Sequence, residues 1–333
     1  MDAYIKAISY YLPETVVTNE QLVEEFPEWS VDKIAKKVGI NERHIAADEE
    51  TAGDLAYKAA EKLISENGIK RDSIDFVLLC TQSPDYFLPS TSCIIQHRLG
   101  LSTKCGAFDF NLGCSGYEYG LAVAKSLILS GMAKNVLLLT AETYNKHIHP
   151  KDKGNRTIFG DGASASLISS KGFAQIGEFV LGTDGSGYDR LIHKTGAMRH
   201  YSPLNDVVFD ENNNPLSSDH LFMDGKAIFD FTSDVVPPMI EETLAKHNLT
   251  KEDINLFVFH QANKYMINYL RKLMEIDKEK FYVFMESVGN TVSSTIPIAL
   301  YEAQKEGKLS GKVLLAGFGV GLSYGATILT CEN

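Results

Sequence analysis

The sequence predicts an α/β sandwich made of two similar halves, and three observations carry that expectation. Apolar strands alternate with helices of about 15 residues, the rhythm of layered α/β proteins. Runs such as "DFVLLC", "NVLLLT" and "NLFVFH" are apolar throughout rather than alternating. Strands buried on both faces read that way, which predicts mostly parallel sheets. Finally, the chain repeats its own pattern at long range.

The repeat is visible in two places. "AEKLISENGIKRDSIDFVLLC", from Ala60, lies without a gap on "IEETLAKHNLTKEDINLFVFH", from Ile240. A helix ends near Asn67 or His247, a polar turn follows, and an apolar strand comes next. "GCSGYEYGLAVAKSLILSG", from Gly113, likewise matches "GNTVSSTIPIALYEAQKEG", from Gly289, with glycine at both ends. Two pairings in the same order at nearly equal offsets divide the chain into residues 1–173 and 174–333. The stretch from His200 to His220, rich in Asn, Asp, Ser and Pro, reads as a surface excursion.

Bulk composition narrows the function. The 333 residues are 44% hydrophobic and 23% charged, as in ordinary globular proteins. The net charge of −11 argues against nucleic acid or an anionic membrane as the main partner. No apolar run approaches the roughly 18 residues of a membrane span. The start of the sequence lacks the pattern of a secretory signal. Five cysteines without CxxC spacing are then expected as free thiols in a reducing cytoplasm.

The repeat also places chemistry. Cys114 in the first half corresponds to Asn290 in the second, each at the head of a helix after a strand. His260 closes the strand "INLFVFH", and ligands of α/β sheets bind beyond the carboxyl ends of strands. Ser115 and Glu118 have the S-x-x-E form of a capping box. Cys114 would then sit at the positive end of a helix dipole, where a thiol pKa falls. Each residue also has a bland reading: a buried thiol, a satisfied histidine and a helix-capping asparagine. Cys80 occupies the repeat position of His260 but has no evident base beside it. His147 and His149 share one face of an extended segment, with no third metal ligand in view. "GFGVGLSYGA", from Gly317, suits a tight turn that offers backbone N–H groups to an oxyanion. "FGDGASA", from Phe159, is a turn entering a strand.

Taken together, "GINERHIA", "FDFNLGCSGY", "IFGDGASA", "HQAN", "GNT" and "GFGVGLSYGA", in this order and at these spacings, resemble the 3-oxoacyl-(acyl-carrier-protein) synthase III family. The resemblance covers nearly the whole chain. It implies a thiolase-like five-layered αβαβα sandwich and a catalytic triad of Cys114, His260 and Asn290. It implies that Cys114 takes an acyl group from acyl-CoA, and that malonyl-acyl carrier protein then loses carbon dioxide and condenses with it. His260 Nε2–H and the Asn290 amide would stabilise the enolate. The backbone N–H groups of Cys114 and Val320 would form an oxyanion hole. No metal or redox cofactor is expected.

The same resemblance implies contacts further out. Trp29 and Lys37 would hold the CoA adenine, with Lys37 standing where the family has Arg. Asn263, closing "HQAN", and Phe159 would line the substrate path. Leu88, before Pro89, would cross a homodimer interface to the partner's acyl pocket, where acetyl-specific enzymes carry an aromatic residue. Lys264, Arg271 and Lys272 would form a local basic patch for the acidic carrier protein. Two alternatives stand beside this reading: a relative in secondary metabolism using a longer, branched or non-acetyl primer, and an acyl-binding subunit without condensing activity.

Overall fold

The computed structural model describes residues 2–332. Ten strands form one hydrogen-bonded sheet whose two halves follow the same plan. From the outer edge inward, the first half runs Gly106–Phe110, Phe76–Cys80, Asn135–Glu142, Gly162–Ser169 and Tyr4–Tyr11. The second runs Phe281–Tyr282, Leu256–Phe259, Gly311–Gly319, Ser323–Cys331 and Ala174–Thr183. In each half the two outer pairings are parallel and the two inner ones antiparallel. The expectation of mostly parallel sheets is thus corrected to an even mixture. Apolarity alone signals burial on both faces, and it carries no strand direction.

The halves are joined at a narrow seam, where Tyr4 and Ile5 pair with Gln175 and Ala174. Beyond it the sheets part around two central helices, Gly116–Leu129 and Thr295–Lys305, which contact strands of both halves. Helix Ala52–Glu66 covers the outer face of the first half and Gly225–Lys246 that of the second. The result is the αβαβα layering. The two central helices are those that follow Cys114 and Asn290, so the layering itself carries both residues to the middle of the molecule.

Repeat positions identified in the sequence keep their roles. Asn67 and His247 are both helix C-caps. The polar turns become matching single 3-10 turns at Arg71–Ser73 and Lys251–Asp253. Residues 200–220 form the expected surface excursion, with a small exposed hairpin at Val208–Phe209 and Pro215–Leu216. All five cysteines are free.

The capping box at Ser115 does not form. Ser115 stands at the N-cap position without a side-chain cap bond, because its buried hydroxyl pairs with Ser323 Oγ at 2.6 Å. Glu118 is fully buried in the central layer, and neither carboxylate oxygen has a hydrogen-bond partner. Burial holds its pKa well above the ordinary carboxylate value. The native state therefore keeps a proton that the unfolded chain releases near pH 4.5, so this group costs stability as pH rises. Glu118→Gln removes the titration. Melting curves from pH 5 to pH 8 should show the variant gaining on the wild type as pH increases, and a constant difference would contradict this account.

Candidate active site

Cys114 lies in the turn between the strand Gly106–Phe110 and the central helix, and is 7% exposed. The hairpin turn after Gly319 closes over it. A Cβ at Gly319 would stand 2.9 Å from both Cβ and Sγ of Cys114, with φ at +156°, so only glycine fits there. The backbone N–H groups of Val320 and of Cys114 itself face the sulfur and favour its ionised form. Burial outweighs them, and the thiol is pushed up to about 12. The expected lowering by the helix dipole is therefore corrected. A dipole worth a fraction of a kcal/mol at an exposed end does not offset the desolvation of a buried thiolate.

His260 is also buried, 2% exposed, and desolvation lowers its pKa to about 3. Its imidazole is neutral at physiological pH. Nδ1 lies 2.7 Å from Thr295 Oγ1, and that hydroxyl donates to Val292 O at 2.9 Å. A hydroxyl has one proton to give. Thr295 therefore accepts from His260 Nδ1–H, and Nε2 is left bare. The resting histidine is an acceptor, whereas the sequence reading made its Nε2–H a donor.

Asn290 is 4% exposed. Its Oδ1 accepts from Val292 N–H at 2.9 Å, and its amide nitrogen donates to Ala262 O at 3.4 Å. The amide is thereby oriented with its donor end free for a second bond. The backbone is fixed from the other side, since Asn290 bridges Phe159 and its carbonyl accepts from Gly160 N–H.

Val292 links all three. It has φ of +56°, a costly conformation for a β-branched residue. In this pose its N–H holds Asn290 and its carbonyl holds Thr295. Its side chain lies 3.3 Å from where a Cβ on Gly113 would stand, beside the nucleophile. Sequence reasoning missed Val292, Thr295 and the closeness of Gly319 to the sulfur. A hydroxyl residue just before Ile296-Pro297 was the available signal.

The remaining residues fall as follows. Cys80 is fully buried with its sulfur donating to Leu112 O, and burial raises its pKa far above normal. Phe159 is buried against Tyr144, ring centroids 5.1 Å apart. Trp29 is half-buried with Lys33 over its ring, and Lys37 is exposed. Asn263 spends its carbonyl oxygen capping helix Lys264–Leu273. On that helix Lys264 and Lys272 are exposed, while Arg271 is half-buried and donates to Ile276 O. Leu88 projects into solvent, 82% exposed. His147 pairs with His193, and His149 packs on His220. Among the described residues no group of three or more His, Cys, Asp or Glu side chains could hold a metal ion.

Comparison with known proteins places this arrangement in its class. A 2.1 Å crystal structure of a 3-oxoacyl-(acyl-carrier-protein) synthase III matches with a TM-score of 0.97 and 46% identity, covering 99% of this chain and 100% of that one. The priming beta-ketosynthase of the R1128 polyketide pathway matches with a TM-score of 0.85 and 28% identity, over 99% and 97%. The fold is thus that of the thiolase-like condensing enzymes, and the protein is an acyl-transferring enzyme of that class. The family model for 3-oxoacyl-[acyl-carrier-protein (ACP)] synthase III matches residues 108–185, and the model for its C-terminal part matches residues 244–331. A beta-ketoacyl-[acyl-carrier-protein] synthase III from Clostridium perfringens is 38% identical over 96% of both chains. The chain belongs to the beta-ketoacyl-[acyl-carrier-protein] synthase III family.

Thr295 gives this site a direct test. Thr295→Val keeps the volume and removes the acceptor for Nδ1–H, which frees the tautomer. Acylation of Cys114 should slow by about 10²-fold, the scale of a lost general base, and Thr295→Ser should restore most of it. Equal rates in the valine and serine variants would refute the assignment.

Proposed function

We propose that Cys114, His260 and Asn290 carry out the condensation that initiates fatty-acid synthesis, joining an acyl group from acyl-CoA to malonyl-acyl carrier protein. The observation that carries this reading is the buried thiol faced by the backbone N–H groups of Cys114 and Val320, together with a buried neutral imidazole that is tied through Thr295 to Val292 and whose bare nitrogen can take a proton. Cys114 attacks the thioester carbonyl as its proton passes to His260 Nε2. The backbone N–H groups of Cys114 and Val320 receive the oxyanion. The carbon–sulfur bond to CoA breaks, and the departing sulfur takes the proton from His260.

In the second half, the malonyl carboxylate leaves as carbon dioxide and its bonding pair becomes an enolate. The Asn290 amide donates to the enolate oxygen. His260 serves as the second donor once it gains a proton at Nε2, which the developing negative charge favours. The carbanion attacks the acyl carbonyl, and Cys114 leaves with that proton. One proton is consumed overall. No resident cofactor enters the scheme, because loss of carbon dioxide itself generates the carbanion.

The wider assignments belong to the same proposal. Residues 1–173 supply the nucleophile and residues 174–333 supply His260 and Asn290, a division supported by the matched strand orders. Trp29, Lys37 and Asn263 stand at the CoA entrance, with Phe159 deeper in. Lys264 and Lys272, with Arg271 in a lesser part, meet the carrier protein. The exposed run Tyr86, Phe87 and Leu88, at 63%, 61% and 82%, supports a homodimer in which Leu88 reaches the partner's pocket. No helix among the described residues is long and apolar enough to cross a membrane, and we place the enzyme in the cytoplasm.

A second reading has its own support. An aliphatic Leu88 in place of an aromatic residue, together with a cavity of about 860 Å³ that Val320 and Tyr144 help to line, suits a longer, branched or otherwise non-acetyl primer. Intact mass after exposure to a panel of acyl-CoAs tests both readings. A gain of one acyl group, absent in Cys114→Ala, is the expected result. Acetyl alone points to the ordinary primer, and larger adducts favour the second reading. No adduct from any donor would remove CoA as the acyl source and leave delivery by carrier protein or a non-condensing acyl-binding protein.

A further inference from the structure

The turn that closes over Cys114 is built on permissive backbone. Val320 stands between Gly319 and Gly321, whose φ angles of +156° and +140° lie in a region that glycine enters freely. Yet the Val320 N–H faces the Cys114 sulfur, so contacts rather than backbone preference hold it there. On one side of Val320, Gly319 is fixed in the ladder by its pairing with Ser323. The Val320 side chain packs beside the nucleophile, 2.4 Å from where a Cβ on Gly113 would stand. A third contact runs through the Val320 carbonyl.

Two buried serines, one from each half of the chain, make that third contact. Ser323 Oγ donates to Val320 O at 3.0 Å, and Ser115 Oγ lies 2.6 Å from Ser323 Oγ. A carbonyl oxygen only accepts, so Ser323 spends its single proton on Val320, and Ser115 must donate to Ser323. The chain of bonds therefore runs one way, from the residue after the nucleophile to the turn above it. Helix Gly116–Leu129 comes close enough for this because Gly317 and Gly325 face each other across the ladder below. A Cβ at Gly317 would stand 2.3 Å from Glu118 Oε2, and one at Gly325 would stand 3.1 Å from Glu118 Cβ. The start of the helix thus seats Glu118 on a rung without side chains and Ser115 on Ser323.

We propose that Ser323 is a positioning residue for the acylation step: by holding the Val320 carbonyl it aims the Val320 N–H at the oxygen of the reacting thioester, and Ser115 directs its proton. This rests on the oxyanion-hole reading above. The two donors of that hole come from different halves of the fold, Cys114 N–H from the first and Val320 N–H from the second. The Ser115–Ser323 bond ties those halves together immediately beside both donors. Their spacing is thereby set where negative charge develops, and a donor moved off that line loses much of its effect.

Single-turnover acylation of Cys114, followed by intact mass over a range of acetyl-CoA and butanoyl-CoA concentrations, tests the proposal with three variants. Ser323→Ala should lower the maximal rate by about tenfold or more, short of the roughly 10²- to 10³-fold that follows outright loss of an oxyanion donor. The half-saturating concentration should change little, because the interaction belongs to the transition state. Ser115→Ala removes the same serine–serine bond but spares the bond to Val320, and should lose only a small part of that rate. The double variant orphans no buried hydroxyl, which guards its fold, and it should be as slow as Ser323→Ala. Equal losses in the two single variants would overturn the proposal. So would a loss confined to the half-saturating concentration, or a double variant restored to the wild-type rate. No acylation of the wild type by either donor would instead overturn the acyl-CoA reading, and the proposal falls with it.

Discussion

One backbone conformation holds this active site together. Val292 sits at φ +56°, which costs a β-branched residue on the order of 1–3 kcal/mol. In return its N–H fixes the Asn290 amide, and its carbonyl fixes Thr295 and through it the His260 tautomer. With an ordinary helical φ at 292, these two groups would point elsewhere. The amide would lose its orientation, and the histidine proton would be free to move between nitrogens. Strain persists only where surrounding structure over-determines it. Here the next residues enter a central helix clamped between both half-sheets.

Burial of the thiol then determines the chemistry. A sulfur held near 12 is no standing nucleophile at neutral pH, so its proton must leave during attack. A neutral imidazole with bare Nε2 meets that need, and the same burial that raises the thiol lowers the histidine. In the free enzyme Cys114 is thus no exposed thiolate to be alkylated or oxidised. In the proposed reaction, reactivity waits for an acyl carbonyl at the Cys114 and Val320 N–H groups.

Much of this was legible in the sequence, and the failures have physical causes. The internal repeat revealed the two halves because matched helices, turns and strands need the same pattern of burial. It also paired Cys114 with Asn290, which the fold carries to the turns that precede its two central helices. Strand direction was not legible, since apolar runs look alike in parallel and antiparallel sheets. The Ser115–Glu118 pattern misled because both residues are buried, where Ser323 claims the hydroxyl and the carboxyl faces the strands. Local pattern assumed a solvated helix end, and tertiary packing removed it. The thiol pKa failed for the same reason. Val292 and Thr295 were invisible because their role depends on one dihedral angle and on contacts across a turn, neither of which a residue type announces.

The central claim is the proton position on His260, and NMR of the enzyme labelled with 15N-histidine measures it most directly. The account predicts a neutral ring protonated at Nδ1 that does not titrate between pH 5 and pH 8. A ring protonated at Nε2, or one that titrates in that range, would contradict it.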